Sequence, residues 1–218
     1  MFEYLTDMNY IEIVLLSLEV SLLAVFISCM ISMPFAAFLV IKQFPGRQLI
    51  VVMINTLMGL PPVVVGLFLY LLLSANGSLS AYKLLYTPSA MVIAQIIIIT
   101  PIITALSKES LEIFYSHYED YLTSLRSSNI QKIQTILWEG RYSLLTNGLA
   151  GLGRAMSEVG AIIIVGGNIE HLTRTMTTGI VLETSRGEFS FALNLGLTLL
   201  FISLLINVAV HTLRKSEE

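Results

Sequence analysis

The chain has 218 residues, of which 55% are hydrophobic and only 12% charged, with a mean hydropathy of +0.80 and a formal net charge of −3. A soluble domain carries about 25% charged residues, so this composition excludes an ordinary globular protein and implies an integral membrane protein. One membrane domain over residues 1–218 is expected, with no separate soluble catalytic module. No basic patch of the density that nucleic acid requires is present, and the single cysteine, Cys29, gives no disulfide or metal site.

In chain order, five segments are long and apolar enough to cross a bilayer: residues 14–41, 49–74, 88–106, 144–167 and 189–213. About 20 apolar residues cross a hydrocarbon core of about 30 Å, so the expected fold is all-α with five transmembrane helices. The first segment would reach about 40 Å as a helix, so it tilts, kinks at Pro34 or projects from the bilayer. It follows an acidic start, MFEYLTDMNYIE, with no Lys or Arg. A cleavable signal wants a basic start, so this segment is expected to stay. Prolines interrupt the early spans at Pro34, Pro61-Pro62 and Pro101. Each is either a packing kink or a break that lines a cavity. The run Asn55-Thr56-Leu57-Met58-Gly59-Leu60-Pro61-Pro62 combines polar, small and broken backbone at membrane depth, which suits a pathway lining.

Between the third and fourth spans lies a polar stretch of about 36 residues, 107–142. Ile113, Leu122, Leu125, Ile130, Ile133, Ile136 and Leu137 recur there at near-helical spacing among charged and amide residues. Such a pattern forms surface helices with one face to dock, on a protein partner or on lipid headgroups. Basic residues give the orientation. Lys42, Arg47, Lys108, Arg126, Lys132, Arg141, Arg214 and Lys215 fall on one side, against Lys83, Arg174 and Arg186 on the other. That asymmetry predicts an external N-terminus and a cytoplasmic C-terminus.

The fourth span carries Arg154 and Glu158, four residues apart and therefore on one helix face. Each charge at mid-membrane costs about 2.5–3.5 kcal/mol on insertion scales, and pairing lowers that cost. The pair is either a lock on the fold or, with Ser157, Pro61 and Pro62, part of an anion pathway or gate. Gly148, Gly151, Gly153 and Ala155 make a small-residue surface that permits close helix approach, within the chain or to a second copy. The following polar segment, 168–188, contains Arg174, Thr177 and Arg186. These are candidates for an outer mouth offering donors to a dianion, or for docking another protein. His117, His171 and His211 are scattered and predict no metal site. There is no phosphate-binding G-x-x-x-x-G-K-[ST] loop, no H-E-x-x-H and no G-x-S-x-G, so no enzymatic reading is supported.

The polar stretch resembles the cytoplasmic signature of the permease subunits of type I ATP-binding-cassette importers: Glu-Ala-Ala, three residues, Gly, nine residues, then Ile-x-Leu-Pro. With Ile136 at the Ile position, Asp120-Tyr121-Leu122 stand at Glu-Ala-Ala and Arg126 at the Gly. Arg126 departs from the pattern, and so do Trp138-Glu139 at Leu-Pro. The resemblance implies an ATPase-coupling role for Asp120, Tyr121, Leu122, Leu125, Arg126 and Ile136. Further on, Gly153-Arg154-Ala155-Met156-Ser157-Glu158-Val159-Gly160-Ala161 and Val165-Gly166-Gly167-Asn168-Ile169 are similar to the molybdate, sulfate and tungstate subgroup. Thr173-Arg174-Thr175-Met176-Thr177-Thr178 and Leu182-Glu183-Thr184-Ser185-Arg186-Gly187 are similar to the tungstate type in particular.

The resemblance covers essentially the whole chain and implies a non-catalytic permease of a bacterial or archaeal plasma membrane. It implies an oxyanion, tungstate first and molybdate or sulfate otherwise, moved by alternating access. It also implies ATP and Mg on partner ATPase subunits, an extracytoplasmic binding protein and a second permease copy. Two readings of other classes remain, an ATP-independent carrier or channel and a membrane scaffold. The polar stretch weighs against the first and the broken polar spans against the second.

Overall fold

The computed structural model describes residues 8–215, leaving aside the side chains of residues 209–211 and 213–215. The acids at residues 3 and 7, and the side chains of His211, Arg214 and Lys215, lie outside the described part. All regular structure among the described residues is helical: α1 (Met8–Ile41), α2 (Arg47–Met58), α3 (Pro62–Leu73), α4 (Pro88–Ser124), α5 (Asn129–Glu139), α6 (Arg141–Met156), α7 (Gly160–Gly166), α8 (Met176–Arg186) and α9 (Phe189–Lys215), with one 3-10 turn at Ser80–Tyr82.

Three helices are long and apolar enough to cross a membrane unbroken: α1, α4 and α9 over Phe189–Val208. The second and fourth predicted spans are instead bent pairs. α2 and α3 meet at 98°, and α6 and α7 at 61°. If each pair counts as one span the total is five. The first break has a plain cause, because consecutive prolines withdraw two backbone donors. The Gly59 and Leu60 N–H groups close the end of α2 with three-residue bonds to the Thr56 and Leu57 carbonyls, and Pro62 opens α3. Twelve-residue α2 and α3 each reach about 18 Å, so neither crosses alone. Pro34 and Pro101, by contrast, sit inside continuous helices.

The polar stretch 107–142 forms helices, as its spacing predicts, but the first of them is a continuation of the third predicted span beyond residue 106. α4 carries on to Ser124, then turns into α5, and the two make a helical hairpin. No Gly or Pro falls between Pro101 and the turn, and Leu111 and Leu122 keep a buried face along the extension. α4 stops in a Schellman geometry. The Ser127 N–H bonds the Leu122 carbonyl, the Arg126 N–H bonds the Thr123 carbonyl, and Arg126 takes φ +51°. Ser128 then opens α5 with a reciprocal capping box to Gln131.

α1 and α4 form the central pair. Ser17, Ser21, Ser28 and Ser32 are buried along α1, with polar contacts across to α4. Thr100 Oγ1 lies 3.2 Å from Ser28 Oγ, Ser32 Oγ donates to the Thr100 carbonyl, and Gln95 Nε2 reaches Ser21 Oγ at 3.5 Å. The small face of α6 serves this same core. A Cβ on Gly148 would lie 3.1 Å from Cys29 Sγ on α1, and one on Gly151 2.7 Å from Ile103 Cδ1 on α4, whereas Gly153 faces open space. At the hairpin end, Ala36, Ala37, Ile41, Leu111, Ile136 and Leu144 form a separate apolar cluster. Glu112 bridges Arg47 and Lys108 there, at 3.2 and 2.7 Å. Large apolar side chains such as Phe26, Phe68, Leu71, Leu200 and Phe201 are exposed, as expected of surface that faces lipid or another membrane chain.

At the opposite end, the connection from α7 to α8 is fastened tightly. Thr173 Oγ1 donates to the Gly166 carbonyl and accepts from the Ile169 N–H, and Asn168 Nδ2 donates to the Thr178 carbonyl. His171 Nδ1 lies 2.7 Å from Glu12 Oε2 on α1. The two border a cavity of about 340 Å³ that Glu19, Glu170 and Arg174 also line. The hydrogen bond to Glu12 leads in raising the His171 pKa above 6.5, assisted by the Glu12 and Glu170 charges and opposed by desolvation and Arg174. A raised histidine pKa stabilises the fold while the ring is protonated, and that contribution fades as pH rises through the folded value. His171→Gln should therefore lower the melting temperature below about pH 6, and the difference should fade as pH rises through the folded value. A difference that is constant with pH would show that His171 acts by packing alone.

Candidate functional site

The two breaks in the bent spans meet. α6 ends at Met156, where the Ser157 N–H bonds the Gly153 carbonyl and the Glu158 N–H bonds the Ala155 carbonyl. After the three residues 157–159 α7 starts, packed against the first turns of α3. A Cβ on Gly160 would lie 2.8 Å from Val63 Cγ2, and one on Gly66 2.9 Å from the Ala161 Cα. Only glycine admits that approach, so the Pro61-Pro62 corner and the 157–159 corner sit side by side.

Glu158 occupies the second corner. Its side chain is 4% exposed and pairs with Arg154 Nη1 at 2.9 Å. Its other oxygen accepts from the Ala161 N–H at 3.2 Å, capping α7. The expected pair thus forms, although not on one helix face as expected. Arg154 is in the last turn of α6, and Glu158 reaches back to it across the break. A carboxylate is favourable where helix N–H groups are left over, and a guanidinium where helix carbonyls are left over. Each charge therefore sits at the helix end that suits it, and the pairing neutralises both. Arg154 remains 37% exposed on its side chain. Ser157, exposed beside it, donates its hydroxyl to the Arg154 carbonyl at 2.9 Å. One buried carboxylate thus holds one side of a partly exposed guanidinium, whose fork carries further N–H donors.

Two buried residues complete the corner that the sequence reading did not single out. Gln95 on α4 donates from Nε2 to the Ala155 carbonyl at 3.1 Å, occupying an acceptor at the end of α6. Ser17 on α1 accepts from the Met176 N–H at 2.8 Å, seating the start of α8. Gln95 is the only polar side chain in the stretch 90–99 of α4, and that isolation was a usable signal.

The three outer-mouth candidates separate. Thr177 is buried and donates to the Glu158 carbonyl at 2.9 Å, which makes it part of the corner. Arg174 is buried and paired with Glu170 at 3.3 Å. Arg186 is half-exposed, paired with Glu183 at 3.2 Å at the far end of α8. These two guanidiniums already have carboxylate partners and do not converge on one cavity.

In the hairpin, Asp120, Tyr121, Leu125 and Arg126 are exposed, while Leu122 and Ile136 are buried in its packing. Tyr121, Leu125 and Ile130 make an exposed apolar group around the turn, of which Ile130 was not among the expected coupling positions. Among the described residues no three His, Cys, Asp or Glu side chains cluster as a metal site.

No protein-family model matches the chain. Known relatives do. It is 37% identical to the tungstate uptake system permease protein TupB of Peptoclostridium acidaminophilum, over 96% of this chain and 92% of that protein. It is 35% identical to a probable anion ABC transporter permease protein of Haloferax volcanii, over 93% and 91%. It is 35% identical to the TupB of Campylobacter jejuni, over 80% and 73%. With a broken-span membrane fold and near full-length identity above 30%, the chain belongs to the oxyanion permeases of ABC transport systems, the family of the tungstate uptake permeases.

Proposed function

We propose that this chain is the membrane-spanning subunit of an ATP-driven tungstate importer. The observation that carries the substrate is the near full-length similarity to two tungstate uptake permeases. The excess of basic residues at the hairpin end supports an external N-terminus and a cytoplasmic hairpin. Tungstate delivered by an extracytoplasmic binding protein enters between two permease copies. ATP and Mg act on partner ATPase subunits, and the hairpin carries their movement into the membrane.

Within that scheme the hairpin residues divide by burial. Asp120, Tyr121, Leu125 and Arg126 offer contact surface to the ATPase. Leu122 is buried within the hairpin, and Ile136 clusters with residues of α1, α4 and α6, so that force applied at the turn reaches those helices. Arg154 and Ser157 face the pathway at the junction of the broken spans. Glu158 and Thr177 keep that corner in place, and the Pro61-Pro62 corner forms its neighbouring wall. Alternating access requires contacts that differ between states. A guanidinium shared between Glu158 and a passing oxyanion is one such contact.

Elemental uptake tests the substrate directly. Cells lacking this chain, given nanomolar tungstate and molybdate under excess sulfate, should lose tungsten and keep molybdenum and sulfur. Loss of the other two would widen the substrate to oxyanions in general, and unchanged tungsten would overturn the assignment. For coupling, Leu125→Glu should insert normally yet reduce ATP-dependent uptake by at least about tenfold, since it places a charge in an apolar contact. Wild-type uptake in that variant would remove the turn from the ATPase contact. At the corner, Arg154→Lys keeps the charge opposite Glu158 but loses the fork. It should leave the melting temperature nearly unchanged and cut tungstate uptake about tenfold, the worth of one charge-assisted hydrogen bond. Full uptake with an intact fold would make the pair a structural lock only.

A further inference from the structure

Where α5 hands over to α6, the surface of the chain carries an apolar groove of about 370 Å³ between α1 and α6. Met30, Met33, Pro34, Leu144 and Leu145 line it, and Arg141 is the one charged residue on its wall. Met30 and Leu145 are exposed, so the groove opens to the outside of the chain. Met30, Met33 and Pro34 lie inside the apolar length of α1, which puts the groove at membrane depth, where hydrocarbon is the surrounding medium.

Arg141 is held in a fixed pose at this groove. Its guanidinium carbon sits 4.9 Å from the Trp138 ring centre and 4.7 Å from that of Tyr142. Nη1 donates to the Trp138 carbonyl at 2.7 Å. Among the described residues no carboxylate lies within ion-pairing distance of it, unlike Arg47, Lys108, Arg154, Arg174 and Arg186. Trp and Tyr gather where hydrocarbon gives way to headgroups, and a guanidinium matches phosphate oxygens with its fork.

From this we infer that the groove is a binding site for an anionic phospholipid, with an acyl chain along α1 and α6 and the headgroup phosphate on Arg141. Charge selects this occupant. A second copy of the chain would have to bring a carboxylate to the same height, whereas a lipid supplies phosphate and hydrocarbon on one molecule. Under the orientation proposed above the lipid belongs to the cytoplasmic leaflet, where anionic headgroups attract basic side chains. The site does not depend on which ion is transported.

The chain supplies its own reporter, because Trp138 is its only tryptophan and lies in ring contact with Arg141. The full chain is reconstituted in phosphatidylcholine vesicles, and tryptophan quenching is titrated with acyl-brominated phosphatidylglycerol and, separately, acyl-brominated phosphatidylcholine. The expected result is quenching by phosphatidylglycerol at about fivefold lower mole fraction, the preference one arginine near an anionic surface supplies. Arg141→Gln should bring the two titrations together, while Lys132→Gln on α5, whose ammonium reaches Thr123 and not the groove, should leave them apart. Equal quenching by both lipids in the wild type overturns the site without recourse to any variant. Absence of quenching overturns it as well, since the groove is then covered by protein. Equal loss of preference in both variants would assign the effect to diffuse surface charge and refute a specific site. Tungsten uptake, read separately, bears on transport and not on this lipid.

Discussion

The structure depends on a carboxylate that has almost no access to solvent. Glu158 holds Arg154 with one oxygen and the Ala161 N–H in the first turn of α7 with the other, while its own carbonyl takes the hydroxyl of Thr177. Those contacts tie together the end of α6, the start of α7 and the start of α8. Gln95 and Ser17 bring α4 and α1 to the same point. Broken backbone at membrane depth is tolerated where protein satisfies the freed groups, and here Glu158, Gln95 and Ser157 each satisfy one of them. An isolated charge at that depth would be costly, so the pair and the break stabilise each other: the break brings the acid to the helix start, and the acid makes the break affordable.

Much of this was legible in the sequence because membranes impose long apolar runs. The unbroken helices α1, α4 and α9 stand near their expected positions, and the Pro61-Pro62 corner announced itself. The Arg154–Glu158 partnership was anticipated from helical spacing, but it forms across the break after Met156 rather than along one helix. The bend after Met156 could not, because nothing in Ser157-Glu158-Val159 is an obligatory helix breaker. It is tertiary packing of α7 on α3, through Gly160 and Gly66, that ends the helix there. The polar stretch was legible as helical, but its continuity with the third span was not. A drop in hydropathy marks where a helix leaves hydrocarbon, not where it stops, and α4 carries its hydrogen-bond ladder on to Ser124.

One departure from the family signature turns out to be conformationally faithful. Where the pattern has glycine this chain has Arg126, and the backbone there is left-handed all the same, at φ +51°. A side chain in that region carries a steric cost that glycine would avoid. The turn is kept by its two capping bonds, by the burial of Leu122 just before it, and by the capping box just after it. The outer candidates failed to converge for a simpler reason, since Arg174 and Arg186 each have an acid within four residues and pair locally.

The length of α4 has a mechanical consequence. From Gln95, at the broken corner, to Ser124, at the turn, one unbroken helix runs roughly 44 Å. It is braced against α1 by the serine and threonine contacts. A rod of that length tilted by about 5° swings its far end by about 4 Å, the scale of a helix turn. The hairpin and the corner are therefore the two ends of one helix, with α1 braced along it between them.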